Sequence, residues 1–238
     1  MLKEYLSYFA QFSIVPVIVA SLIGLMRYRR LPPSLRYLTL LACFDVLMEL
    51  TALFLYTNFA RKTLGINSNL FLFPFVFVGE TTLLALAYRQ VLQSAAFNKM
   101  SPWLLGLFSA YALIVGFSLF GLPLHSIGLS VVANLLMLGL AGLYFSKLLN
   151  ELQVEQLLLD PFFWVSASLT IYGLGNLLIS LFSNYMLAHC SVQLQFIIMW
   201  GVRNVFNYLL YLSYCWALWI ASPQSRSALT AAGNPPRA

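Results

Sequence analysis

The sequence predicts an all-α fold: an integral membrane bundle of seven helices, N-terminus outside and C-terminus inside. Three observations carry this. Hydrophobic residues make up 61% of the 238 positions and charged residues 8%. Soluble domains carry about 25% charged residues, so a polar surface around an apolar core cannot be built from this chain. Seven apolar stretches of roughly the 20 residues that a bilayer crossing needs are separated by short polar breaks. Nine lysines and arginines fall on one set of alternate breaks and three on the other, which puts the richer side inside. The same placement accounts for the net charge of +6 with the lipid bilayer as partner and no nucleic acid.

Span 1 covers about Tyr5–Met26. Lys3 and Glu4 nearly cancel before it, and the basic cluster Arg27, Arg29 and Arg30 follows it, so it reads as a retained helix rather than a leader. Pro16 is expected to kink it. The turn Leu31–Ser34, with its proline pair, leads into span 2, residues 35–57, anchored by Arg36. Asn58–Asn67 is an outer loop with Arg61 and Lys62, and span 3 covers 68–91. Ser94–Ser101, with Lys99, reads as an inner loop, and Pro102 as the first position of span 4, residues 102–121. Leu122–Ser126 turns outside into span 5, residues 127–149, followed by the acidic inner segment Asn150–Asp160. Asp160 is placed to cap span 6, residues 161–188, with Pro161 at its first position. His189–Gln193 is an outer turn, span 7 covers 194–221, and the Ser-, Pro- and Gly-containing stretch 222–238 reads as a disordered cytoplasmic tail. The membrane domain is therefore 1–221.

Four charges fall deep inside these spans: Asp45 and Glu49 in span 2, Glu80 in span 3 and Arg203 in span 7. An ionisable residue near the bilayer centre costs roughly 2.5–3.5 kcal/mol on insertion scales, so such residues turn to partners or a cavity rather than to lipid. Counted from the span starts, all four lie in the central third of the membrane, with Asn207 one turn past Arg203 and Asn134 and Asn176 at mid-depth of spans 5 and 6. Helical spacing extends them into stripes that include Ala42, Asp45, Glu49 and Ala52; Phe77, Glu80, Leu84 and Tyr88; Ser168, Tyr172, Asn176 and Ser180; and Arg203, Asn207, Tyr211 and Tyr214. The expected cluster is Asp45, Glu49, Glu80, Arg203, Asn207, Asn176, Tyr172, Asn134 and Tyr88. Three acids against one arginine leave a surplus of negative charge. At least one carboxyl is then expected to be neutral, or a bound cation to offset it. Spans 1 and 4 carry no ionisable residue at depth and are expected at the periphery.

Absences narrow the chemistry. Span 7 has no lysine for a retinal Schiff base, and the two histidines, His125 and His189, fall in outer loops, away from any buried zinc set. No Ser-His-Asp set or phosphate-binding glycine loop occurs, and Cys43, Cys190 and Cys215 suit apolar filler. No cofactor or metal is expected. The run Asp160-Pro161-Phe162-Phe163-Trp164, with Ile171-Tyr172-Gly173-Leu174-Gly175-Asn176 and Phe182-Ser183-Asn184-Tyr185, resembles a family of uncharacterised bacterial seven-span proteins. Glu49, Glu80 with Tyr88, and the two asparagines of span 7 also look similar to its pattern. The resemblance implies a bacterial inner-membrane protein and supplies no activity.

Spans 1–3 and 5–7 both begin outside, so span 4 would link two parallel three-helix repeats, an architecture of transporters with midplane sites. The spacings Glu80–Tyr88 and Arg203–Tyr211 match. Three functions fit the cluster. The first is a receptor-like sensor that binds a small ligand or a proton at the midplane and signals to a cytoplasmic partner through the Arg27–Arg36 turn or the Glu151–Asp160 segment. The second is a small-solute or proton-coupled transporter. The third is an intramembrane enzyme with Asp45 and Glu49 as acid and base, for which no accompanying nucleophile is seen. The same polar residues would equally serve as an ionic network that fixes helix register.

Overall fold

Helix boundaries follow proline and capping chemistry at most breaks. The computed structural model describes residues 14–56, 72–118, 123–150, 157, 159–191, 194–195 and 197–221. Among these it is all helical: α1 (Ile14–Arg27), α2 (Pro33–Tyr56), α3 (Phe73–Leu92), α4 (Ala95–Ser118), α5 (Pro123–Asn150), α6 (Pro161–His189) and α7 (Arg203–Ile220). Four of them contain stretches long and apolar enough to cross a membrane: Pro33–Leu55, Phe73–Leu92, Ile127–Asn150 and Pro161–Ser183. The first residues of span 1, the outer loop with Arg61 and Lys62, most of the acidic segment and the tail lie outside the described residues.

Several starts differ from the sequence reading. Helix α4 begins at Ala95, so Pro102 lies inside it rather than at its first position. Gln93 closes α3 in a left-handed conformation (φ 48°), its N–H donating to the Arg89 carbonyl. This compact reversal leaves Ser94–Ser101 free to wind as helix, begun by Asn98 N–H to the Ser94 carbonyl at 2.9 Å. Helix α5 starts at Pro123, four residues before the expected Ile127. Ahead of α7, Ile197–Val202 winds as a wide π turn, and His189 is the last residue of α6 rather than part of a loop.

The packing order forms a ring. α1 lies between α2 and α7, α2 packs on α3, α3 on α5, α5 on α6 and α6 on α7. Helix α4 rests on the outside of α3 and barely touches α5. Three glycines permit close approaches in the ring. A Cβ on Gly24 would meet Thr39 atoms at 2.5–3.0 Å, one on Gly79 the Phe44 ring at 2.2 Å, and one on Gly175 the Phe206 ring at 2.2 Å. Gly79 and Phe44 immediately precede Glu80 and Asp45, so this contact sets the register in which the two acids share a level.

One end of the ring is basic and sealed. Arg27 donates to the Leu218 carbonyl at 3.1 Å and its guanidinium lies 5.3 Å from the Trp219 ring centroid, joining the ends of α1 and α7. Lys147 donates to the Val91 carbonyl at 2.7 Å, joining α5 to α3. Asp160 Oδ1 accepts from Phe162 N–H at 2.9 Å as the expected cap of α6, and Tyr144 donates to its other oxygen. Between these ties, Leu35, Leu38, Tyr88, Leu169, Tyr214 and Leu218 pack into one core drawn from α2, α3, α6 and α7.

Candidate functional site

The polar cluster lies where this sealed core ends. Leu38, Ala42, Asp45 and Glu49 occupy one face of α2, one turn apart. Leu38 and Ala42 are 0% exposed, Asp45 is 5% exposed, and Glu49 is exposed. The same face therefore runs from buried to exposed within one turn of Asp45. Helix α3 repeats the trend: Tyr88, Leu84 and Thr81 are buried, Glu80 and Phe77 half-buried, and Phe73 exposed. On α7, Leu218 and Tyr214 are buried, whereas Tyr211, Asn207 and Arg203 are half-buried. Exposure thus rises along three helices towards the end opposite the basic one, and the deep charges stand where it begins to rise.

Asp45 is the innermost of them. Its Oδ2 accepts a hydrogen bond from the Tyr211 hydroxyl at 2.8 Å, which crosses from α7 to α2. Its Oδ1 is buried and has no hydrogen-bond partner among the described residues. Most buried polar atoms are satisfied, so an orphaned carboxyl oxygen calls for a physical explanation. Glu80 lies within electrostatic reach of both Asp45 and Glu49 and makes no hydrogen bond among the described residues. Tyr172 is within electrostatic reach of Glu80, Asp45 and Arg203.

Arg203 does not neutralise the acids. Its Nε donates to Asn176 Oδ1 at 3.0 Å, and the Asn176 amide donates in turn to the Tyr172 carbonyl at 3.0 Å. No ion pair joins Arg203 to a carboxylate among the described residues. The guanidinium is held by a neutral amide on α6, while the three carboxyls gather on α2 and α3.

The structure thus groups Asp45, Glu80, Tyr172, Asn176 and Arg203, with Asn207 half-buried on α7 one turn from Arg203. Glu49 is exposed and stands at the edge of the group rather than inside it. Two expected members lie elsewhere. Tyr88 is in the sealed core, its hydroxyl 2.7 Å from Ser166 Oγ. Asn134 donates to the Ser130 carbonyl at 2.8 Å, in a small hydroxyl patch where Ser130 meets Ser180 at 3.3 Å. Tyr211 is the member absent from the expected cluster, although its spacing from Arg203 and Asn207 puts it on their stripe. Among the described residues no group of His, Cys, Asp and Glu is arranged to hold a metal ion. Compared with protein-family models, curated proteins and solved structures, the chain matches none.

Proposed function

We propose that this chain is a seven-span bacterial inner-membrane protein of receptor-like type. In this reading it takes up a proton or a small organic cation at Asp45 and Glu80, entering from the end opposite the basic one. The observation that carries the reading is the buried Asp45 Oδ1 without a partner among the described residues, beside a second carboxyl and not ion-paired with Arg203, which is held by Asn176. A proton or a ligand N–H supplies the missing donor and offsets the surplus negative charge.

Sensing is favoured over transport by the sealed half. Leu38, Leu169 and Leu218 are 0% exposed, so the described residues close the cluster off towards the basic end. Helix α7 supplies the output. It carries Tyr211 on Asp45, and its last carbonyls are held by Arg27, at the start of the basic turn proposed to meet a cytoplasmic partner. The ring order supports the proposed parallel repeat of α1–α3 and α5–α7, since exchanging the two triplets returns the same set of neighbours. The cross-ring tyrosines also join equivalent helix pairs, Tyr88 on α3 to α6 and Tyr211 on α7 to α2.

Infrared difference spectroscopy in lipid bilayers, stepping the buffer from alkaline to acidic, tests the assignment. A carboxyl C=O band that Asp45→Asn or Glu80→Gln removes is the expected result. A native spectrum without such a band, or one unchanged in both variants, contradicts proton uptake. Titration with a small organic amine, read by the same band, then separates a cation site from a proton site.

A further inference from the structure

The interior holds both signs of charge without pairing them. Asp45 Oδ1 is the one buried side-chain nitrogen or oxygen without a hydrogen bond among the described residues. Glu80 makes no hydrogen bond there either, and of the guanidinium nitrogens of Arg203 only Nε does, to Asn176. Neither residue contributes an atom that is both buried and unbonded, so the Glu80 oxygens and the terminal Arg203 nitrogens keep accessible surface. Glu80, Tyr172 and Tyr211 are enclosed by protein as deeply as fully buried groups, yet each is only half-buried by surface. The surface they keep is therefore turned to the interior of the ring rather than to lipid. Arg203 reaches the same interior, since its partner Asn176 is 2% exposed and Tyr172 lies within electrostatic reach of Arg203, Glu80 and Asp45. Unbonded acceptors on α2 and α3 and unbonded donors on α7 thus share one interior, with Tyr172 in reach of both.

Ionisable groups inside a membrane are costly and pair with one another or with backbone carbonyls. Neither a proton nor a simple ammonium ion corrects this arrangement, because each satisfies Asp45 and Glu80 and leaves Arg203 as it was. A ligand with a protonated amine and a carboxylate meets both halves. Its N–H groups donate to Asp45 Oδ1 and Glu80, and its carboxylate accepts from the two terminal guanidinium nitrogens, a pairing that arginine forms with parallel bonds. We infer that the site takes an amino-acid zwitterion, its ammonium at Asp45 and Glu80 and its carboxylate at Arg203. Asn176 is then a positioning residue, since its bond to Nε at 3.0 Å fixes the guanidinium and leaves both terminal nitrogens for the ligand. This inference rests on the organic-cation reading of the site and adds the second charge to it.

Matched ligands provide the test. The full chain in phosphatidylcholine nanodiscs is titrated calorimetrically with glycine, β-alanine, γ-aminobutyrate and ε-aminocaproate, each against its own amide. The series varies the distance between the two charges, and the amides keep the amine while removing the carboxylate. At least one amino acid is expected to bind about ten-fold tighter than its amide, the scale of a charge-assisted hydrogen bond. Arg203→Gln levels the two affinities, and Glu80→Gln lowers both. A preference that persists in Arg203→Gln overturns the proposal, and so does a native chain that binds no amino acid more tightly than its amide. The native comparison needs no variant, so it decides the matter even if Arg203→Gln does not fold. Where the preference is missing, amides that still bind, or a carboxyl infrared band that still responds to pH, leave the cation or proton reading of Asp45 and Glu80 standing. Loss of both ends that reading as well.

Discussion

The Tyr211 hydroxyl donates to Asp45 at 2.8 Å across the interior of the bundle, tying the last helix to the second. It satisfies one carboxyl oxygen and leaves the other buried without a partner. Hydrogen bonds to charged groups contribute about 1.5–3 kcal/mol. Tyr211→Phe is therefore expected to lower stability by about 2 kcal/mol in the native chain and by less than about 1 kcal/mol in an Asp45→Asn background. A double-mutant cycle on thermal unfolding in lipid nanodiscs measures the difference, and equal losses in both backgrounds would rule out a charge-assisted tie.

Arg203 is held by Asn176, so its removal and that of Glu80 act independently. Arg203→Gln and Glu80→Gln are expected to change stability additively to within about 0.5 kcal/mol. An ion pair would give a coupling well above that. Arg203→Lys is not conservative here, because lysine has no Nε to meet the Asn176 oxygen in the observed geometry.

Much of this was legible in the sequence, and the losses have physical causes. Asp160 and Pro161 announced the start of α6, because a capping acid and a proline at the first helical position act locally. The stripe holding Asp45 and the stripe holding Arg203 were also readable, since helical period alone puts their members on one face. What periodicity does not contain is how far apart the faces stand. Glu49 shares a face with Asp45 yet is exposed, because the distance between helices at that level depends on all of them together. The charge count foretold a surplus of acid, but which neighbour meets Arg203 depends on relative helix rotation, and that neighbour is an amide. Depth along a helix brings Tyr88 and Asn134 to the level of the cluster, whereas their hydroxyl partners are on neighbouring turns or helices that a depth count does not locate.

Close approach at glycine sets the register of the ring. A Cβ on Gly24 would fall 3.0 Å from Thr39 Cβ, an atom that no side-chain rotation moves away. Gly24→Ala is expected to cost about 1–3 kcal/mol, the usual range for overpacking. Gly106→Ala, where the added Cβ has no neighbour within 4 Å, serves as the control. Its stability should be unchanged or slightly raised, as for glycine replaced by alanine in a helix. Equal midpoints for the two variants in a thermal melt would show that α1 and α2 do not approach as described.

The cap of α6 carries two bonds at once, to Phe162 N–H and from Tyr144. Asp160→Ala is expected to cost about 0.5–2 kcal/mol for the cap alone. Asp160→Asn, which keeps an acceptor, should lose less. Hydrogen exchange over residues 161–165 reads the fraying directly, and unchanged exchange in Asp160→Ala would contradict the capping role.

The central claim is that Asp45 is held for what it binds rather than for the stability it adds. The most direct test is the unfolding midpoint of Asp45→Asn against the native chain in the same nanodiscs. The substitution keeps an acceptor for Tyr211 and removes a buried carboxyl with an orphaned oxygen. The account predicts a midpoint unchanged or raised, with the carboxyl infrared response lost. A fall of about 2 kcal/mol or more, the loss expected when a buried charged hydrogen bond is broken, with the infrared response intact, would make Asp45 a structural tie and contradict the account.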